Sequence, residues 1–292
     1  MQRVAIVTDS FAHFSPPLSV TLEPITVVPN RLLIDGRTYR ESIDLNTEDA
    51  LRLIAQRPQA PVVLPPTVDE YAAVYSRLSY DADAILSIHA SREINKSWEH
   101  AREAAHPFQG RCPIHVIDSQ SISAGEAILA RSASRALSDG DPVDDIVRMV
   151  RGAVDRLYAI FYTEQPHFLL QNKVMEPAQA ILTSMIGVKP ILTMENGILT
   201  PMEKVKSRSQ AIERMVEFAV EFTGIEDVAI LGPRPSAGEP ARSLQERLSA
   251  EFPSRAFPYM MYGPSLAALI GVDATGLILL EEDESDDFHN EY

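Results

Sequence analysis

The chain has 292 residues, 45% of them hydrophobic, enough apolar surface to bury a core in one large or two ordinary domains. Forty-one acidic against 26 basic side chains give a formal charge of −15, which excludes phosphate-backbone affinity as a global property and makes nucleic acid a poor partner. One cysteine, Cys112, excludes an internal disulfide and a thiolate metal centre of its own, so the expected compartment is reducing.

The first apolar run, Val4 to Val7, is closed by Asp9 and is too short for a signal-peptide core, and no window reaches the length of a membrane span. The expectation is a cytoplasmic protein without stable membrane insertion. Val4 to Val7, Ile25 to Val28, Ala84 to His89 and Ile114 to Ile117 read as strands, and helical patterns alternate with them, which is the grammar of a parallel sheet with crossover helices. Thr67 and Glu70 have capping-box spacing, and Tyr71, Val74, Tyr75 and Leu78 follow as one buried stripe. Trp98, Ala101, Arg102 and Ala105 repeat the rhythm, with Arg102 at the rim, and a further helix runs from Ser123 to about Leu137. Asp141 is expected as an N-cap with Pro142 at the first helical position, followed by a face of Val143, Ile146, Val147, Val150, Val154 and Leu157 on a helix that links two domains.

The grammar then changes. Ile191 to Met194, the turn Asn196-Gly197 and Ile198 to Met202 form a hairpin whose Pro201 favours an edge or bulge. A helix from about Arg208 to Phe222 buries Ile212, Met215, Val216, Ala219 and Phe222, and strands near Val228 to Leu231 and Leu277 to Leu280 complete an α+β half. Residues 281–292 carry seven carboxylates and almost no apolar side chains, the composition of a solvated, disordered tail.

Polar residues just beyond a parallel strand face the crevice where ligands bind. Thr8-Asp9-Ser10, His89-Ala90-Ser91 and Asp118-Ser119 meet that description, and capping or loop-tying is an equal alternative for Asp9, Ser10, Asp118 and Ser119. Ser10 or Ser91 with His89 and Asp118 composes a hydrolase triad on paper, but the Gly-x-Ser-x-Gly elbow is missing. Neither a Gly-x-Gly-x-x-Gly nor a Gly-Lys-Ser/Thr phosphate loop is present. His100 and His106 are six apart, off the spacing that puts two imidazoles on one helix face, so neither metal nor cofactor is expected.

Val4-Ala5-Ile6-Val7-Thr8-Asp9-Ser10, the hairpin Ile34-Asp35-Gly36-Arg37-Thr38-Tyr39, Ile88-His89, Val116-Ile117-Asp118-Ser119 and Val188-Lys189-Pro190-Ile191-Leu192 together resemble the DegV family, in the family's order and over nearly the whole chain. Gly263-Pro264 is similar to the family's Gly-Pro turn, and Asn196-Gly197 stands where members usually have Asp-Gly. The resemblance implies a two-domain fold, an N-terminal three-layer parallel α/β domain (1–155) and a C-terminal α+β mixed-sheet domain (156–280), ahead of the acidic tail (281–292). It further implies a bacterial lipid-binding protein, a carrier rather than an enzyme, that encloses a long-chain fatty acid between its domains and presents the carboxyl to a separate fatty-acid kinase.

Several headgroup motifs of that family are altered here. Thr-Ser-Gln-Pro-Ser becomes Val63-Leu64-Pro65-Pro66-Thr67, removing two hydroxyls, and Ser-Gly becomes Asn95-Lys96, which keeps an amide donor and adds a cation. Gly-Gly-Arg-Ile becomes Gln171-Asn172-Lys173-Val174, a charge without arginine's fork, and the histidine before the Gly-Pro turn becomes Met261. The ligand-binding set carried over is therefore Val63, Leu64, Ser91, Asn95, Lys96, Lys173 and Met261. A buried carboxylate without donors costs several kcal/mol, roughly, or stays protonated, so either the ligand differs or Asn95, Lys96 and Lys173 rebuild the site. The plain alternative has Leu64 and Met261 as packing residues and the two lysines as solvated charges. A second functional reading is an interaction or regulatory protein of this fold that has lost carboxylate presentation and binds another amphiphile or none.

Overall fold

A computed structural model of the chain describes residues 2–14, 25–176 and 187–283. The tail expected from residue 281 is partly corrected: Glu281 ends the last strand, and residues 284–292 lie outside the described residues.

Strands β1 (Val4–Asp9), β2 (Ile25–Val28), β3 (Arg31–Ile34) and β4 (Arg37–Arg40) are followed by helix α1 (Thr47–Ala55), strand β5 (Val62–Leu64) and helix α2 (Val68–Leu78). Next come β6 (Ala84–His89), α3 (Ser97–Ala105), β7 (Ile114–Asp118), α4 (Ala124–Asp139) and α5 (Val143–Val154). β1, β2, β6 and β7 form an all-parallel sheet in the order β2-β1-β6-β7. Its side chains alternate as the pleat requires. Val7 and Ile85 pack with Tyr71 and Tyr75 of α2 and Ala101 and Ala104 of α3, while Ile6 and Leu86 pack with Ile128 and Ala133 of α4. The result is the three-layer α/β arrangement. The reading of α3 shifts by one residue, since Ala104 rather than Ala105 is the buried member.

Between β2 and α2 the chain adds a small antiparallel sheet, β4-β3-β5, whose β3–β4 turn Asp35-Gly36 has both residues at positive φ, as a two-residue hairpin needs. Thr67 and Glu70 form the expected capping box. Pro142 is itself the N-cap of α5, in extended conformation, so Asp141 stands outside the helix. α5 ends at Val154, and Leu157 opens the next strand rather than closing the helical face, because a strand residue three positions on happened to fall in phase.

The second half contains β8 (Leu157–Tyr162), α6 (Pro166–Gln171), β9 (Lys189–Glu195), β10 (Ile198–Val205), α7 (Arg208–Val220), β11 (Ile225–Gly232), α8 (Glu239–Glu251), β12 (Tyr259–Met261), α9 (Pro264–Ile270) and β13 (Thr275–Glu281). Its six strands form one mixed sheet, β10-β9-β8-β13-β11-β12, in which only β11 and β12 run parallel. Pro201 lies on the edge strand β10, where the register slips between Pro201 and Glu203. Phe222 lies beyond α7, half-buried, with its ring 4.7 Å from that of Tyr158.

Helix α4 joins the halves. Ile6 and Leu86 of the parallel sheet and Ile278 and Leu280 of the mixed sheet belong to one apolar cluster with its Ile128 and Leu129. Eleven of its sixteen residues are buried, and at Gly125 an added Cβ would stand 3.6 Å from Ile278. α9 is buried along its whole length among α1, β5 and α6. Among the described residues no helix is long and apolar enough to cross a membrane.

Candidate functional site

The carboxyl ends of β1 and β6 bring together a buried polar network. Asp9 Oδ1 accepts from the Phe11 amide at 3.0 Å and from Asn30 Nδ2 at 3.4 Å, and its Oδ2 accepts from the Ala90 amide at 3.3 Å and lies 3.2 Å from His89 Nδ1. On its other side His89 Nε2 meets Ser87 Oγ at 2.7 Å, which in turn meets the Tyr75 hydroxyl at 2.7 Å. His89 thus finds its carboxylate in Asp9, not Asp118, and its hydroxyl in Ser87, not Ser10 or Ser91. Asp118 instead accepts from the amides of Gln120 (2.9 Å) and Arg92 (3.4 Å), tying its loop. The triad on paper is not brought together.

Ser10 donates to Glu41 Oε2, and Glu41 Oε1 accepts from Ser265 Oγ at 2.8 Å, the hydroxyl of the second residue of α9. Asn30 Nδ2 also donates to Ser265 at 3.2 Å. Glu41 is therefore clasped between a serine of each half. Burial pushes its carboxyl up to about 7, against the two serine hydrogen bonds that lower it, and the Asp9 charge adds to the rise. Glu126, in the first turn of α4, is driven well above the carboxylate range by burial and by Asp9, with the Thr8 hydroxyl and the backbone amides of Asp9 and Ala12 acting the other way. His13 lies against Gly263, where an added Cβ would stand 3.1 Å from His13 Nδ1, and burial pushes this imidazole down to about 4.

The seven carried-over residues divide. Ser91 is buried and donates to the carbonyl of Gly197 at 2.6 Å, fastening the β9–β10 turn to the loop after β6. Asn95 is half-buried; its Oδ1 accepts from the Ser97 amide at 2.9 Å, while its Nδ2 is buried with no hydrogen-bond partner. Val63 pairs with Leu32 and packs on the cluster that spans both halves, as do Ile94 and Met261. Leu64, one residue on, points to the opposite face beside Arg31, so alternation sends only one of the two toward that cluster. Lys96 and Lys173 are both exposed, the first preceding α3 without capping it and the second at φ 59° after α6. Val63, Ile94 and Met261 thus border one apolar cluster, with Asn95 next to Ile94 in the chain and Ser91 bracing the loop, and the two lysines are exposed.

Pattern reading missed Asn30, Glu41, Glu126 and Ser265. The signal nearest to hand was Asp9-Ser10 at the end of β1, which pointed to the edge where all four converge.

A family model described as "Uncharacterised protein, DegV family" matches residues 3–282. The chain belongs to the DegV family. The DegV domain-containing protein SCO2569 of Streptomyces coelicolor is 30% identical over 257 residues, which is 87% of this chain and 90% of that protein. Among solved DegV structures, the fatty acid binding DegV family protein SAG1342 from Streptococcus agalactiae superposes with a TM-score of 0.86 at 21% identity, over 97% of this chain and 100% of that one. DegV of Bacillus subtilis, described as a fatty acid binding protein, gives a TM-score of 0.82 at 25% identity over 97% and 100%. The two-lobed α/β architecture of this chain is therefore the DegV fold.

Proposed function

We propose that this DegV protein is a fatty-acid carrier that holds an acyl chain between residues 1–155 and 156–280, with the headgroup beside Asn95 and the chain against Val63, Ile94 and Met261. The observation that carries the reading is the Asn95 amide: a buried donor without a partner, following in the chain on Ile94, which packs on an apolar cluster built from both halves. A buried unpaired donor costs about 1–3 kcal/mol, which a ligand oxygen removes. Each methylene taken out of water adds about 0.8 kcal/mol, so aliphatic walls hold the chain without charges. The solved relatives described as fatty acid binding support the same reading. Ser91 braces the headgroup loop, and Leu64, Lys96 and Lys173 contribute less, since one turns away and two are solvated. The protein holds its ligand in the cytoplasm and transforms nothing itself; presentation of the carboxyl to a separate fatty-acid kinase is the finer form of the proposal.

Denaturing extraction of the purified protein, followed by mass spectrometry, is expected to release about one long-chain fatty acid per chain. Absence of stoichiometric lipid after expression in a lipid-replete host overturns the reading and favours the interaction or regulatory alternative, which the apolar Val63 and Met261 motivate. Asn95→Ala is expected to weaken retention about fivefold, roughly the worth of one hydrogen bond, while Lys173→Ala leaves it nearly unchanged. Equal retention by both variants removes the headgroup from Asn95.

A further inference from the structure

Asp9, His89 and Glu126 converge from three elements: the last residue of β1, the last residue of β6 and the first turn of α4. All three are fully buried, and one donor atom from each lies within 4.8 Å of the other two. None of them is used by the lipid reading.

Each of the three residues is held from behind by one of its polar atoms. His89 Nε2 is engaged by Ser87, itself held by Tyr75. Asp9 Oδ1 is held by the Phe11 amide and Asn30, and Glu126 Oε1 accepts from the Thr8 hydroxyl at 2.5 Å. The remaining atoms are loosely bound or free. Around His89 Nδ1 and Asp9 Oδ2 the separations are 3.2 Å to each other, 3.3 Å from Nδ1 to the Tyr71 hydroxyl and 3.3 Å from Oδ2 to the Ala90 amide. Glu126 Oε2 has no partner in hydrogen-bonding geometry, the amides of Asp9 and Ala12 facing the carboxyl without meeting it. Among the described residues no lysine or arginine pairs with Asp9 or Glu126, and the partner facing Asp9 is the His89 ring. Two carboxyl groups and one imidazole therefore share a buried interior with no lysine or arginine paired to them among the described residues.

We propose that Asp9, His89 and Glu126 form a buried structural site for a divalent transition-metal ion of the zinc or manganese class, which ties the ends of β1 and β6 to α4. One imidazole nitrogen and two carboxylate oxygens suit that class. Magnesium suits the set less well, because it prefers oxygen ligands and keeps much of its own water, whereas one of the three donors here is an imidazole nitrogen. Outer contacts that fix each ligand through its second atom are the arrangement by which proteins orient metal ligands. The ion binds the two carboxylates and His89 Nδ1, the one proton left on the imidazole is on Nε2 and donates to Ser87, and every proton held on Nδ1, Asp9 or Glu126 is released to solvent as the ion enters. Two negative charges then meet two positive ones.

The test uses the full-length protein, stripped with a chelator and titrated with zinc chloride, manganese chloride or magnesium chloride alone. Zinc or manganese is expected to bind at about one ion per chain and to raise the thermal midpoint, with no response to magnesium. Glu126→Gln keeps an oxygen for the Thr8 hydroxyl and is expected to lower zinc affinity at least about tenfold. Cobalt chloride added to the stripped wild-type protein gives a second readout, a visible absorption band from nitrogen and oxygen ligation that does not depend on any variant folding. Zinc and manganese responses no larger than that of magnesium, an unchanged zinc affinity in Glu126→Gln, or absence of the cobalt band overturns the site. Lipid content is followed in the same preparations, so loss of the metal site and loss of the carrier reading register separately.

Discussion

Glu41 and His13 sit on the same seam and titrate in opposite senses. Glu41 keeps its proton to about pH 7 in the folded chain, against an ordinary value of 4.5. The stability it contributes is complete below about pH 4.5 and is lost as pH rises toward 7, because the folded state binds the proton more tightly there. His13 is pushed from 6.5 to about 4, so the unfolded state binds the extra proton, and its contribution is complete above about 6.5 and lost as pH falls toward 4. The two windows overlap with opposite slopes, and the parent protein is expected to show a partly cancelled pH dependence. Glu41→Gln unmasks the histidine, so the variant's own stability falls on acidification below about 6.5. His13→Gln unmasks the acid, so the variant's own stability rises as pH falls from about 7 toward 4.5. The Glu41 part is on the order of 3 kcal/mol at 1.36 kcal/mol per pKa unit. Urea midpoints between about pH 5 and 8 decide this; variants whose curves run parallel to the parent show that neither group is linked to folding. The seam is also where sequence reading reached its limit. Asp9 and Ser10 were visible as polar residues closing a strand. Their partners Glu41 and Ser265 were not, because Ser10–Glu41 spans 31 residues and Glu41–Ser265 spans 224, distances over which no local pattern operates.

At the scale of elements, periodicity identified several pieces with one buried face, passed over α1 and α8 although each buries one face, and had nothing to read where an element has no exposed face or is very short. α9 is seven buried residues without a polar side, and β12 is three residues long, so neither carries a period. The two Asx-Gly turns were legible because their positive φ values restrict the residue types they accept. What they touch was not legible, and that difference can be measured. At Gly36 an added Cβ meets open space, whereas at Gly197 it would stand 2.4 Å from Ser91 Oγ. Both glycines have positive φ, 76° and 81°, so Gly36→Ala and Gly197→Ala share a backbone strain of about 1–3 kcal/mol. Gly197→Ala is expected to cost more, and the excess should shrink when Ser91 is also replaced by Ala, since the nearest remaining side-chain atom is then the Cβ at 3.5 Å. Equal costs for the two glycine variants in urea denaturation refute the tight docking of the β9–β10 turn on the headgroup loop.

For the molecule as a whole, alternating short strands and helices predicted two differently built halves, and the DegV fold bears that out. How the halves meet was beyond pattern arguments, which say that a face is buried but not against what. The apolar clusters show the consequence. One cluster, with Tyr71, Tyr75, Ile85 and Phe108, belongs to the first half, and another, with Ile160, Met215, Leu244 and Leu277, belongs to the second. The cluster around α4 and α9 draws on both, from Ile6, Leu51 and Ile128 to Phe168, Leu266 and Ile278. Separating the halves exposes large side chains worth about 1.5–3 kcal/mol each, more than a marginally stable domain retains. Unfolding is therefore expected as one transition. Trp98, the single tryptophan, lies in the first half with the guanidinium carbons of Arg92 and Arg102 at 5.7 and 5.2 Å from its ring, so its emission follows that half alone. Far-ultraviolet circular dichroism follows both halves. The two urea curves should coincide in midpoint and slope. A tryptophan transition that precedes the dichroism curve would mean that each half stands on its own cluster, and that the shared one is too weak to bind them into a single cooperative unit.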